Sequence, residues 1–339
     1  MLFLATRHVI NDREGVGVIS SQRETDRTPR RELLIARPRG FCAGVERAIG
    51  VVDHLLEAHG TPLYVRKEIV HNQAVVDGFR KRGVNFIEEL DEAPDGALVV
   101  FSAHGVSPSV RAEAEARGLR VVDATCPLVT RVHRSVVKHA EAGRPIVLIG
   151  HAGHDEVAGT MGEAPDQTYL VETVEDVAEL PLSEDTDLAY VTQTTLGVDE
   201  TAAIIEALAA RYPNLRRPGK DDICYATTNR QTAVKALVEE GATHVLVVGS
   251  RNSSNSVRLC EVARDRGADA TLVDGPDEVD IDAFADHDVI GLTAGASAPE
   301  DLVEAVTARL EAAGWRPRET DGVEENVKFK MPRELTAFE

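Results

Sequence analysis

The sequence predicts an α/β protein of three similar lobes, each with a mainly parallel sheet, arranged around a pseudo-threefold axis. Three observations predict it. Short apolar runs alternate with Ala/Glu/Arg-rich stretches of helical spacing, which is the βαβ pattern of open parallel sheets. Aromatic residues make up only 4% of the 339 residues, so a core must be assembled from Val, Leu, Ile and Ala, which suits buried strands under helices. Three cysteines, Cys42, Cys126 and Cys224, recur 84 and 98 residues apart, each ahead of the same succession of elements.

Taken in chain order, residues 1–32 are polar, Arg-rich and aperiodic, and are expected to form a disordered extension. The run from Met1 to Ala5 is too short for the core of a signal peptide. The first lobe is expected over 33–125, with a buried strand at Leu98-Val99-Val100-Phe101 and a helix over 109–118. The second is expected over 126–222, with a strand at Ile146-Val147-Leu148-Ile149 and a helix over 200–211. The third, over 223–339, carries strands at Val245–Val248 and Val289–Leu292, helices over 228–240 and 300–313, and a C-terminal tail. In every lobe a strand ends in a polar loop 28 or 29 residues after the cysteine, and these loops carry His71, His154 and Ser253. A later strand ends in a second polar loop, carrying His104, Thr194 and Ser297. Ligands of open sheets sit beyond the carboxyl ends of the strands. One cysteine and two polar loops from each lobe should therefore face a shared centre.

Composition narrows the class of function. The formal charge is −20, a field that repels nucleic acid and anionic lipid, so neither is expected as a partner. No apolar run approaches the roughly 18 residues of a membrane span, and a cytoplasmic location is expected. Four cysteines without a C-x-x-C pair argue against a disulfide framework and against a zinc ribbon.

Cys42, Cys126 and Cys224 each stand at a turn or helix start, where backbone N–H groups favour a thiolate. Three converging thiolates suit an iron–sulfur cubane, leaving one iron free to take an oxygen from substrate as a Lewis acid. Zinc on three cysteines and a histidine competes, but structural zinc sites use short ligand spacings. Simple burial is the ordinary reading of a lone cysteine, and it is the one adopted for Cys260, inside the helix-like stretch 258–266.

The loops at 150–154, 249–256 and 293–299 combine small residues with hydroxyl, amide and imidazole groups before expected helix starts. That is the makeup of an anion site. Capping alone would explain one serine, yet Ser253-Ser254-Asn255-Ser256 is richer than a cap needs. Neither a P-loop nor a G-x-G-x-x-G fingerprint is present. His71, His104 and His154 could each be charged by a neighbouring phosphate. Glu156, beside a buried anion, would have a raised pKa and could protonate a leaving hydroxyl.

The strings PRGFCAGV (38–45), VHN (70–72), SAHGVS (102–107), ATCPLVTRVH (124–133), IGHAGHDEVAGTMGE (149–163), TQTTL (192–196), DDICYATTNRQ (221–231), SRNSSNS (250–256), TAGASAPE (293–300) and ENVKFKMPREL (325–335) occur in this order. As a set they closely resemble the 4-hydroxy-3-methylbut-2-enyl diphosphate reductase family, the last enzymes of the non-mevalonate isoprenoid pathway. The resemblance runs from about residue 33 to the end. It implies a 4Fe-4S cluster on Cys42, Cys126 and Cys224 with the fourth iron open to substrate. It implies that His71, His104, His154, Ser253, Ser254, Asn255 and Ser297 hold the diphosphate. Thr194 and Glu156 would lie by the substrate hydroxyl, with Glu156 as proton donor. Ferredoxin or flavodoxin would supply the electrons. Two other classes remain to be separated: an iron–sulfur lyase acting without net reduction, and a non-enzymatic redox sensor with no preformed anion site.

Overall fold

Three parallel sheets, each fed by its own run of chain, organise the computed structural model, which describes residues 31–285 and 288–337. The extension expected over 1–32 lies, up to residue 30, outside the described residues. The first run contains β1 (Glu32–Ile35), α1 (Ala43–His59), β2 (Leu63–Arg66), α2 (Gln73–Lys81), β3 (Val84–Ile87), β4 (Leu98–Phe101), α3 (Pro108–Ala116) and β5 (Arg120–Asp123). The second contains α4 (Pro127–Glu141), β6 (Ile146–Ile149), α5 (Asp155–Met161), β7 (Thr168–Val171), α6 (Val174–Glu179), β8 (Ala189–Thr192) and α7 (Val198–Arg211). The third contains α8 (Tyr225–Glu239), β9 (His244–Val248), α9 (Ser254–Asp265), β10 (Asp269–Val273), β11 (Val289–Ala294), α10 (Glu300–Ala312) and β12 (Arg316–Glu319).

The strand orders are β3-β2-β4-β5, β7-β6-β8 and β10-β9-β11-β1-β12. The leading three strands of each order correspond, and every pairing is parallel. The expected strand at Leu98–Phe101 and the one at Ile146–Ile149 form over those very residues, with all four positions buried in each. Strands buried on both faces read as continuous apolar runs, which is why they were visible without tertiary information. The expected helices over 109–118, 200–211, 228–240 and 300–313 form with ends shifted by up to three residues.

One strand departs from the expected partition. Residues 33–35 of β1 fall within the expected first lobe, yet the strand pairs with β11 and β12 in the sheet of the third. Leu33 and Leu34 are fully buried there, on the two faces of a strand with a neighbour on each side. The edge is taken by β12, whose four residues are exposed and include Pro317, a residue tolerated where a backbone N–H has no ladder partner. Among the described residues no helix is long and apolar enough to cross a membrane.

The carboxyl ends of the strands position the polar loops. His71 follows β2, His154 follows β6 and Ser253 follows β9; the second loops follow β4, β8 and β11. Each cysteine is the N-cap of a long helix: Cys42 of α1, Cys126 of α4 and Cys224 of α8.

Candidate active site

The backbone holds the three cysteines in a cyclic arrangement. Cys126 N donates to Ala103 O of the first lobe's second loop at 2.9 Å. Cys224 N donates to Thr194 O of the second lobe's second loop at 3.1 Å, and Cys42 N donates to Ala296 O of the third's at 3.2 Å. Each cysteine is thus fastened to the loop of the preceding lobe, and the ring closes. Gly44 lets the chains approach: a Cβ there would lie 2.7 Å from Cys126 Sγ and 3.7 Å from Cys42 Sγ. The two sulfurs therefore flank one point. Cys224 Sγ accepts from Thr227 N at 3.3 Å.

All three thiols line one cavity, together with His71, His104, His154, Glu156, Thr194, Ser253, Ser254, Asn255 and Ser297. Every site residue expected from the sequence is brought to this one place. Burial pushes the Cys126 thiol up to about 12 and the Cys224 thiol to about 11, with the neighbouring Cys42 adding to both. Cys42 is raised as well, chiefly by burial. Such thiols stay protonated unless a cation replaces the proton, so the donor set suits a positively charged metal–sulfide group. Cys260 lies elsewhere, buried in the apolar core between α8, α9 and the third sheet.

The same cavity is lined by three histidines that pack on one another. His71 and His104 stack with ring centres 4.0 Å apart and planes 19° from parallel. His154 stands nearly perpendicular to both, at 5.3 and 5.9 Å. Burial, reinforced by the neighbouring histidines, holds His104 well below the usual imidazole range and His154 down to about 4. His104 and His154 are therefore neutral near pH 7 until a ligand brings negative charge. His154 is also the N-cap of α5, its Nδ1 accepting from Glu156 N at 3.1 Å. Ser253 caps α9 by accepting from Ser256 N at 3.3 Å. Capping thus explains Ser253, but Ser254 and Asn255, in the first turn beyond it, still face the cavity. Asn255 Oδ1 accepts from Ala296 N, and Ser297 Oγ donates to His71 O, at 2.9 and 2.8 Å.

Glu156 is buried, and both of its oxygens are engaged by one residue. Oε1 accepts from Thr194 N at 2.7 Å and Oε2 from Thr194 Oγ1 at 2.9 Å. Burial raises its pKa to about 7, against the opposing pull of these two bonds. The site thereby holds a carboxyl group that carries a proton near neutrality.

Sequence reasoning missed the frame around these groups. Arg230 is fully buried in α8 and donates to Gly40 O and Phe41 O just before Cys42, to Ala226 O, and to Glu325 of the tail. Arg47 donates to Ala124 O and Thr125 O before Cys126 and to Lys330 O of the tail. Phe329, on the same tail, lines the cavity. Its signal was an aromatic residue between two lysines in a polar segment, a pattern that also suits an ordinary surface strand.

Fold and cavity together define a class: a three-lobed α/β protein whose centre joins three thiols to an imidazole- and hydroxyl-rich anion pocket. Residues 33–311 match the family described as LytB protein, and the chain belongs to that family. The 4-hydroxy-3-methylbut-2-enyl diphosphate reductase of Bordetella pertussis is 58% identical over 306 residues, covering 90% of this chain and 94% of its own. The enzyme of the same name from Actinobacillus pleuropneumoniae serotype 5b is 54% identical over 311 residues, covering 91% and 99%. Among solved structures, the E-1-hydroxy-2-methyl-but-2-enyl-4-diphosphate reductase of Plasmodium falciparum superposes with a TM-score of 0.88 at 39% identity, covering 90% of this chain and 97% of its own.

Proposed function

We propose that the chain removes the hydroxyl of 4-hydroxy-3-methylbut-2-enyl diphosphate, giving isopentenyl and dimethylallyl diphosphate. The observation that carries the reading is one cavity joining three helix-capping thiols, a three-histidine pocket and a protonatable Glu156. The balance is simple. Two electrons and two protons enter, the C–O bond breaks, water leaves and a C–H bond forms.

Cys42, Cys126 and Cys224 would hold an iron–sulfur cluster of the 4Fe-4S type. When bound, such a cluster supplies stored electrons and an iron without a protein ligand for the hydroxyl oxygen. The protein's own groups do the rest. His104 and His154 take up protons when the diphosphate enters, because its charge offsets their burial, and His71 completes the pocket beside them. Ser253, Ser254 and Asn255 donate directed hydrogen bonds to its oxygens, and Ser297 does so when its hydroxyl turns from His71 O. Thr194 fixes Glu156 through two bonds and turns its proton toward the departing hydroxyl, in the manner of a general acid. A ferredoxin- or flavodoxin-type carrier supplies the electrons.

The test is anaerobic turnover of the substrate by cluster-loaded protein with a reduced one-electron donor, following donor oxidation and the two C5 diphosphates. Product formation that depends on the reductant is expected. Conversion of the substrate without any reductant would instead place the protein among lyases, and absence of conversion by cluster-replete protein would remove the substrate assignment.

A further inference from the structure

His133 is a buried histidine that the proposed reaction leaves without a task. It lies in the middle of α4 and is only 6% exposed. Its Nδ1 meets Glu163 Oε1 at 2.8 Å, while its Nε2 is buried with no hydrogen-bond partner among the described residues. An apolar side chain would fill the same space without leaving a ring nitrogen unsatisfied. The edge of the ring that carries Nε2 is wedged between two glycines. A Cβ on Gly105 would lie 3.1 Å from His133 Cε1 and 3.2 Å from Nε2, and one on Gly159 would lie 3.4 Å from Cε1. Gly105 follows His104 in the second polar loop of the first lobe, and Gly159 lies three residues beyond Glu156 on α5, a spacing that keeps the two on one face of a helix. Glu163, which holds the other ring nitrogen, stands just past Gly162, the C-cap of α5. The ring thus braces α5 along its length and at its end, and ties it to the loop that carries His104.

We propose that His133, anchored by Glu163, is the positioning residue of the proton donor: it fixes the part of α5 that carries Glu156 and sets a ring able to hold positive charge close to that carboxyl. The inference rests on the function proposed above only in that Glu156 is there the acid. Burial does most to raise the Glu156 pKa; the two bonds from Thr194 and then positive charge on His133 oppose it, and Asp222 adds to it. Charge on Glu156 also acts on the Cys224 thiol. By working against burial, the ring eases release of the proton and stabilises the carboxylate that release leaves behind. On its outer side the pair of His133 and Glu163 borders a surface cleft lined also by Arg111, Asp123, Arg134, Lys138 and Glu141. Arg111 and Asp123 are paired with each other at 2.7 Å. The histidine therefore stands between that cleft and the helix that carries the buried acid.

Full-length, cluster-loaded protein tests this first without turnover. The infrared carboxyl band that disappears in Glu156→Gln is followed through pH, which reads the titration of Glu156 directly. In His133→Gln its midpoint should move up by about one unit, and Glu163→Gln, which keeps the ring but removes its anchor, should move it the same way by less. In reductant-dependent turnover the alkaline limb of kcat should shift with the band. Below that limb kcat should fall about tenfold in His133→Gln, a part of what loss of the acid itself would remove, and KM should change little. A purely structural histidine would lower kcat and leave both midpoint and limb in place; that result in the two variants would overturn the proposal, as would unaltered kcat and midpoint. If His133→Gln does not fold or hold the cluster, the Glu163→Gln midpoint decides alone, and an unmoved one overturns the proposal. Unaltered protein whose carboxyl band responds to both substitutions but which converts no substrate would uphold the pairing of His133 with Glu156 and remove only the reaction assigned to them.

Discussion

Glu156 is one of many acidic residues in a chain of charge −20, and only its surroundings suit it to the proposed role of proton donor. Burial raises its pKa to about 7, while Thr194 holds both of its oxygens. Glu156→Gln keeps the shape and removes the acid, so turnover should fall by about 100- to 10,000-fold. Substrate affinity and cluster content should stay near normal. Steady-state rates with iron analysis check this, and near-normal turnover would dismiss the carboxyl as donor. The pH dependence has a definite sign. With Glu156 as the proposed donor it is the acid form that acts, so kcat should decline as pH rises through about 7. Stability follows the same direction: a carboxyl whose folded pKa exceeds its unfolded value contributes fully below about 4.5, and that contribution is lost as pH rises through about 7. His154, held down to about 4, works oppositely, losing its contribution as pH falls from 6.5 through 4. The pH profile of kcat should lose its alkaline limb in the Gln variant.

The elements that matter are the helices begun by cysteines and the tail that crosses them. Cysteine is not a favoured N-cap, yet Cys42, Cys126 and Cys224 each occupy one, where the helix dipole and free N–H groups support negative charge on sulfur. Arg230 joins two of these starts, reaching from α8 to the carbonyls ahead of Cys42, and Glu325 of the tail neutralises it. A guanidinium buried to this degree depends on its counterion. Glu325→Ala should therefore lower stability by roughly 3 kcal/mol, the lower end of what breaking a buried pair costs, because the carbonyl partners remain. A reduced denaturant midpoint with an unchanged slope is the expected reading. A midpoint equal to that of the unaltered protein would mean that the tail contributes nothing through this contact.

At the scale of the whole molecule, an anionic substrate is asked to approach a protein of formal charge −20. The imidazole- and hydroxyl-rich cavity is a local answer that leaves the long-range field repulsive. Raising ionic strength from about 0.01 to 0.15 M shortens the screening length from about 30 to 8 Å. Over that range kcat/KM for the diphosphate should rise, while kcat at saturation should change little. A kcat/KM that instead falls with salt would show attraction at long range. The closed ring of bonds from each cysteine to the preceding lobe also makes the centre a shared property. No single lobe contributes more than one of the three cavity thiols.

Much of this was legible in the residues themselves. Buried parallel strands are continuous apolar runs, so those at Leu98–Phe101 and Ile146–Ile149 could be read with their limits. The recurrence of cysteine, loop and loop at nearly constant spacing foretold which residues would meet, because each repeat folds by the same local rules. The placing of β1 in the third sheet, the stacking of His71 on His104, the Thr194 grip on Glu156 and the reach of Arg230 from α8 to the tail were decided by the tertiary structure. These contacts join residues far apart in the chain or on separate loops. Local propensity carries no information about such partners; the packing of whole lobes chooses them, and burial then sets their chemistry.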